Sequence, residues 1–387
     1  MEEKERAYYL DWIRIGVILL LVPFHSAVTF IIHGDAFIKY PQHVPGLDIF
    51  TWLLSLWIMP ALFLVSGMSA YFSLRSRTGK EFMRERYQKL LLPFFAGVVL
   101  ICPIMAYLRA LFMGAVQGDF VHFYPLFFNG GYPKGNFNWG HLWFLLYLFV
   151  FTAILRPLLV YMKREDVQAR LVDMSAILGK GLFVYLPALP LMVTEALLRP
   201  SFPGMQNLYW DWANFIFYLV LVFYGFLLAT NKKIVDNIER IRVFSLVLGA
   251  ALFALVAIPA TSGVRGFMGR AYHAYNALMV FAWVYAVLGY AKALVNRRCR
   301  IYSYLNSASF PFYIFHFLPV TVAAYFVARM EIDVWWRYLI IVACSYPATF
   351  AVYEIVKRIP LIRFLFGIKI FSRLHHGDKE SLEEVSS

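Results

Sequence analysis

Arg14 and His25 stand eleven residues apart in LDWIRIGVILLLVPFHS, a stretch otherwise almost wholly apolar. Ionisable groups inside an apolar span are costly, so each is a functional candidate by default. Eleven steps of 100° end about 20° past three full turns, so both side chains fall on one face of a helix. At 1.5 Å per residue they are separated by about 16 Å, which sets Arg14 at the edge of a bilayer and His25 well inside it. Pro23 cannot bond to the Leu19 carbonyl and can kink the helix just before His25. Taken singly, Arg14 can snorkel to headgroups and His25 can be a satisfied core histidine. A cation and a deep imidazole on one face instead suit an anionic group at the edge and proton or acyl transfer inside.

Further polar residues repeat the theme. His316 lies between Pro311 and Pro319 in SFPFYIFHFLP; it can donate or accept a proton, or bond to a neighbouring helix. His141 and Trp143 open NWGHLWFLLY, where Trp139 and Trp143 fit an aromatic interface belt and His141 can also line a pocket mouth. Glu195 precedes Arg199 by four residues, the spacing of a helical ion pair, or else of an acceptor pocket. Asp211 and Glu354 read as interface residues. Six basic side chains, Arg75, Arg77, Lys80, Arg84, Arg86 and Lys89, fall within fifteen positions. Arg86 and Lys89, one turn apart, could join Arg14 in a cationic collar, which suits polyanionic phosphates.

The elements that position these groups are membrane spans. The chain has 387 residues, 61% hydrophobic and 15% charged, with a mean hydropathy of +0.63. A soluble domain carries about 25% charged residues, so a soluble enzyme, a coiled coil and a disordered chain are excluded. Spanning helices need about 20 mostly apolar residues. Ten windows qualify: 10–32, 49–74, 90–112, 141–162, 181–198, 212–230, 243–262, 272–294, 305–328 and 336–356. The fold expected is all-α and polytopic, with about ten transmembrane helices in one domain over 1–372 and a polar, disordered tail over 373–387. With the N-terminus cytoplasmic, 26 of the 36 Lys and Arg lie on the inner side and 8 on the outer, so both termini are expected in the cytoplasm. The net charge of +13 is then an orientation signal, and nucleic-acid binding is not needed to explain it. The first apolar stretch is expected to remain as an anchor rather than to be cleaved. Cys102, Cys299 and Cys344 lie far apart, in the pattern of neither a disulfide framework nor a metal cluster.

Four segments resemble the acyltransferase-3 family of integral-membrane O-acyltransferases: Arg14-x10-His25; ALFLVSGMSAYF (61–72); Arg86-x-x-Lys89-Leu-Leu-Leu-Pro93; and HLWFLLYLFVF (141–151) with SFPFYIFHFLPV (309–320). Their order and spacing agree over about 10–356. Lys89 stands where many members have Arg. Glu195, Arg199, Asp211 and FYGFLLA (223–229) are similar to the branch containing glucan-succinylating membrane proteins. The resemblance implies a cytoplasmic acyl-CoA co-substrate and no permanently bound cofactor or metal. The donor's phosphates would be held near Arg14, Arg86, Lys89, Arg75 and Arg77. His25 would act as base or transient acyl carrier, and the acceptor would be a carbohydrate or cell-envelope glycan beyond a plasma (inner) membrane. Ser66, Tyr313 and His316 are candidate oxyanion donors, and His141, Trp143 and Glu195 candidates for the acceptor side. The rival reading is a polytopic transporter of a solute or lipid-linked glycan intermediate, against which stand the lack of repeat symmetry and the Arg14–His25 pairing.

Overall fold

The computed structural model describes residues 7–368 apart from 33, 35, 133 and 262–268; the expected tail over 373–387 lies outside the described residues. Every regular element described is helical, with one isolated bridge between Gly131 and Phe137. In chain order the first helices are α1 (Tyr8–Val28), α2 (Pro45–Ser55), α3 (Ile58–Arg75) and α4 (Gly79–Arg86). A π turn, Tyr87–Leu91, joins α4 to α5 (Leu92–Leu100), followed by α6 (Cys102–Phe112), α7 (Phe120–Leu126) and α8 (Trp143–Tyr161). Next come α9 (Glu165–Met174), α10 (Ala188–Leu198), α11 (Trp212–Thr230), α12 (Lys232–Arg240) and α13 (Arg242–Thr261). The last are α14 (Arg270–Val295), α15 (Tyr302–Phe315), α16 (Phe317–Val327), α17 (Val334–Val356) and α18 (Pro360–Leu365).

Among the described residues eight helical stretches are long and apolar enough to cross a membrane, and ten if two bent pairs each count as one span. The protein is therefore a multi-pass membrane protein. All ten expected windows have a counterpart, with two differences. The second and third spans are longer than expected, Pro45–Arg75 and Gly79–Phe112, because amphipathic turns extend their apolar cores. The seventh and ninth windows belong to broken helices: α12 and α13 meet at 62°, α15 and α16 at 54°. The second break has a chemical cause. Pro319 has no N–H for the Phe315 carbonyl, so the ladder is interrupted at the turn that holds His316.

Helices α3 and α11 cross in close contact. A Cβ on Gly67 would lie 2.0 Å from the Val222 carbonyl oxygen, and one on Gly225 1.9 Å from that of Leu64. Two backbones in direct contact through small residues is the packing expected where helices associate by van der Waals fit rather than by hydrophobic burial. Gly67 lies in the 61–72 segment and Gly225 in 223–229, so those two family-like segments are two sides of one helix contact.

Candidate active site

Three imidazoles come together where α1, α8 and the α15–α16 break converge. Ring centroids are 5.2 Å apart for His25 and His316, 4.9 Å for His141 and His316, and 6.4 Å for His25 and His141. Phe317 stacks on His25 at 4.1 Å, and Phe24 meets it edge-on. The sequence brings each ring here by a different device. His25 rides the Arg14 face of α1, one turn from its end. His141 is turned inward by a short 3-10 turn, Gly140–Leu142, entered through Gly140 at φ +50° and tied by its N–H to the Asn138 side chain at 2.7 Å. His316 sits at the break itself.

The hydrogen bonding of the cluster is incomplete. His141 bonds through Nε2 to the Ile314 carbonyl at 3.0 Å, and His316 through Nδ1 to that of Tyr313 at 2.7 Å. The other nitrogen of each, His141 Nδ1 and His316 Nε2, is buried without a partner, as is Nδ1 of His25. Leaving a buried polar group unsatisfied costs about 1–3 kcal/mol. Three such groups at one point therefore mark the part of the bundle whose hydrogen bonding is least complete among the described residues. His141 (6% exposed) and His316 (0%) are enclosed, whereas His25 is only half-buried, the most open of the three. Among the described residues no trio of His, Cys, Asp or Glu is arranged as metal ligands are.

The belt reading of His141 and Trp143 is corrected by this geometry. Both are buried, Trp143 against Phe63 and Tyr147, because the positive-φ turn rotates the start of α8 into the bundle. Tyr313 also belongs to the cluster, but its hydroxyl is already given to the His141 carbonyl. Ser66 lies on α3 beside Gly67 and makes no hydrogen bond to the three histidines among the described residues.

About 16 Å back along α1, Arg14 bonds to Asp11, which also accepts from Tyr302. Arg14 and Arg77 lie within electrostatic range of Arg86, whose guanidinium covers the Phe82 ring at 4.7 Å. The Nε atoms of Arg14 and Arg86 are both buried without partners. Glu85 lies within the same range of Arg86, and Asp11 pairs with Arg14; the two unfilled Nε–H groups are the donors left over. The π turn that follows Arg86 is itself a feature frequent at functional sites. Lys89 leaves the expected collar: it pairs with Glu85 at 2.5 Å and faces an adjoining cavity of about 370 Å³, shared with Arg77, Arg84, Gln88 and Arg363. Arg75 stands apart over the Tyr71 ring at 5.8 Å and does not line that cavity. Sequence reasoning missed Arg363, since only tertiary folding carries α18 back to the α4 end.

From His141 the chain enters α8 and runs down to Val160, which packs on Gly79 at the start of α4; Tyr147 therefore lies toward the opposite end of the bundle. There the expected Glu195–Arg199 pair is present as a fork of two 2.8 Å bonds. Arg199 also donates to Asn214 at 2.8 Å, and Asn214 to Asp211 at 3.1 Å. Asp211 accepts from the Tyr147 hydroxyl at 2.5 Å and from the Met205 N–H at 2.8 Å. Asp211 is fully buried, which corrects its reading as an interface residue: it anchors the loop over 199–211. That loop holds Gln206 at φ 51° and Leu208 at φ 65°, a conformation unfavourable for side-chain-bearing residues and kept only where surroundings enforce it.

The acyltransferase domain family matches residues 7–354. The chain belongs to that family. It is an acyltransferase, and the match takes in Arg14, Arg86, all three histidines and the network around Asp211. Among curated relatives it is similar to "Glucans biosynthesis protein C" of Escherichia coli O1:K1 / APEC, 22% identical over 94% of this chain and 95% of that protein. The protein of the same name from Escherichia coli strain K12 / DH10B is 23% identical over the same shares. No solved structure matches.

Proposed function

We propose that the protein is an O-acyltransferase that moves an acetyl or succinyl group from acyl-CoA to a hydroxyl of a carbohydrate or cell-envelope glycan. It acts across the plasma membrane with both termini cytoplasmic. The observation that carries this reading is His25: the one half-buried ring of a partner-deficient cluster, on the same helix face as a cation beside Arg86.

The donor side follows from charge. Arg14 and Arg86, with Arg77 next to them, offer guanidinium donors to the phosphates of a coenzyme A nucleotide, and the cavity bearing Lys89, Arg84 and Arg363 adjoins them. The pantetheine arm then runs along α1 and delivers the thioester near His25. The acceptor hydroxyl comes from the opposite end, where the Asp211 network holds the loop over 199–211. His25 either takes the hydroxyl proton during direct attack on the thioester, or takes the acyl group first and passes it on. The similarity to relatives named for glucan biosynthesis favours a glycan acceptor.

Inverted membrane vesicles carrying the protein, supplied with labelled acetyl- or succinyl-CoA, test this. Label should appear in an alkali-labile ester on envelope carbohydrate. Label confined to free acid or lipid with every donor supplied would refute the reading.

A further inference from the structure

We infer that His141 and His316 are positioning residues for His25. Each is locked by a backbone carbonyl in the tautomer that leaves a lone-pair nitrogen inside the cluster, and together they direct the N–H of His25 inward and its Nε2 lone pair to the reacting hydroxyl. The inference rests on the proposed role of His25.

The argument begins with protons. A carbonyl oxygen only accepts, so the ring nitrogens facing Ile314 and Tyr313 must carry hydrogen. A neutral imidazole has one N–H. His141 is therefore the Nε2–H tautomer with an acceptor at Nδ1, and His316 the Nδ1–H tautomer with an acceptor at Nε2. Both acceptor atoms are buried and unpartnered. No carboxylate bonds or ion-pairs with any of the three rings among the described residues, so nothing compensates a charge resting there. His25 Nδ1 is likewise buried and unpartnered, at ring spacings of 5.2 and 6.4 Å from two acceptors. The arrangement is satisfied when Nδ1 of His25 carries the hydrogen and points to one of them. Bonds of this kind are often long in a ligand-free site and tighten with substrate.

This fixes which nitrogen reacts. In direct transfer the acceptor O–H bond breaks and its proton goes to His25 Nε2, while the oxygen bonds to the acyl carbon. The carbon–sulfur bond then breaks and the thiolate takes the proton from Nε2, giving ester and free thiol. The imidazolium formed in between keeps its Nδ1–H on a lone pair of His316 or His141. The same locking removes two of the three candidates for the oxyanion donor: neutral His316 has no hydrogen to offer inward, and the Tyr313 hydroxyl is given to the His141 carbonyl.

Two substitutions separate positioning from packing. His316→Asn keeps an N–H at the δ position for the Tyr313 carbonyl and removes the ε acceptor; His141→Gln keeps an N–H at the ε position for the Ile314 carbonyl and removes the δ acceptor. The full-length enzyme should lose about 10²-fold in kcat in each, with KM for acyl-CoA unchanged. Near-normal kcat in both tether-keeping variants overturns the inference. In the unmodified protein, ring 15N shifts should show His316 protonated at Nδ1 and His141 at Nε2, and the opposite tautomers overturn it without any variant having to fold. If His25→Ala itself transfers normally, the proposed function fails; if His25→Ala is dead while His316→Asn and His141→Gln are active, only this inference fails.

Discussion

The hydroxyl of Tyr346 on α17 donates to the Leu19 carbonyl on α1 at 2.8 Å, and Leu19 is the residue whose helical bond Pro23 cannot make. In lipid there is no water to take up such a carbonyl, so a neighbouring helix must. The turn of α1 that precedes His25 is thereby tied to α17. Tyr346→Phe should cost about 1–3 kcal/mol by leaving the Leu19 carbonyl bare. It should lower transfer as well as the thermal midpoint in detergent. Unchanged stability and activity would show that the carbonyl is satisfied otherwise.

The contact between Gly67 and Gly225 leaves no room for a methyl group, because what each Cβ would strike is backbone, not a movable side chain. Gly67→Ala and Gly225→Ala should each cost at least about 1–3 kcal/mol, read as loss of folded protein at matched expression. Ser66→Ala, one position away, should be nearly silent.

Donor binding should divide the basic residues into two groups. Arg86→Ala should raise KM for acyl-CoA about tenfold or more, as expected for loss of a charge-assisted contact worth about 1.5–3 kcal/mol. Arg363→Ala should raise it less, and Arg75→Ala, over the Tyr71 ring, should leave it within twofold. Equal effects from Arg75 and Arg86 would place the phosphates elsewhere.

Asp211 gathers three donors in a buried site, so its loss should be felt at a distance. Asp211→Ala would strand the Tyr147 hydroxyl, the Met205 N–H and the Asn214 amide, a cost of about 3 kcal/mol or more. Limited proteolysis should then cut within 199–211, where the intact protein resists. Loss of acceptor transfer without new cleavage would give Asp211 a direct part in binding instead.

Much of this was legible in the sequence because a bilayer constrains it so strongly. Twenty apolar residues announce a span whatever packs beside it, and a helical period of 3.6 puts Arg14 and His25 on one face before any fold is known. The Glu195–Arg199 pair followed from the same periodicity. What stayed hidden depends on tertiary placement. Nothing local distinguishes Trp143 as a belt residue from Trp143 as a core residue; a positive-φ glycine immediately before His141 decides the direction of the turn only in context. Nor could sequence unite His25, His141 and His316, which are 116 and 175 residues apart along the chain. The burial of Asp211 was equally invisible, since its partners come from α8, from its own loop and from the first turn of α11.

The most direct test of the account is acyl transfer by His25→Ala against the unsubstituted protein, in inverted vesicles at matched folded expression, with labelled acyl-CoA and envelope glycan. The account predicts that glycan ester formation falls by at least about 10³-fold while acyl-CoA still binds, because the basic end around Arg86 is untouched. Transfer within a few-fold of the unsubstituted rate would contradict it and remove His25 from the chemistry.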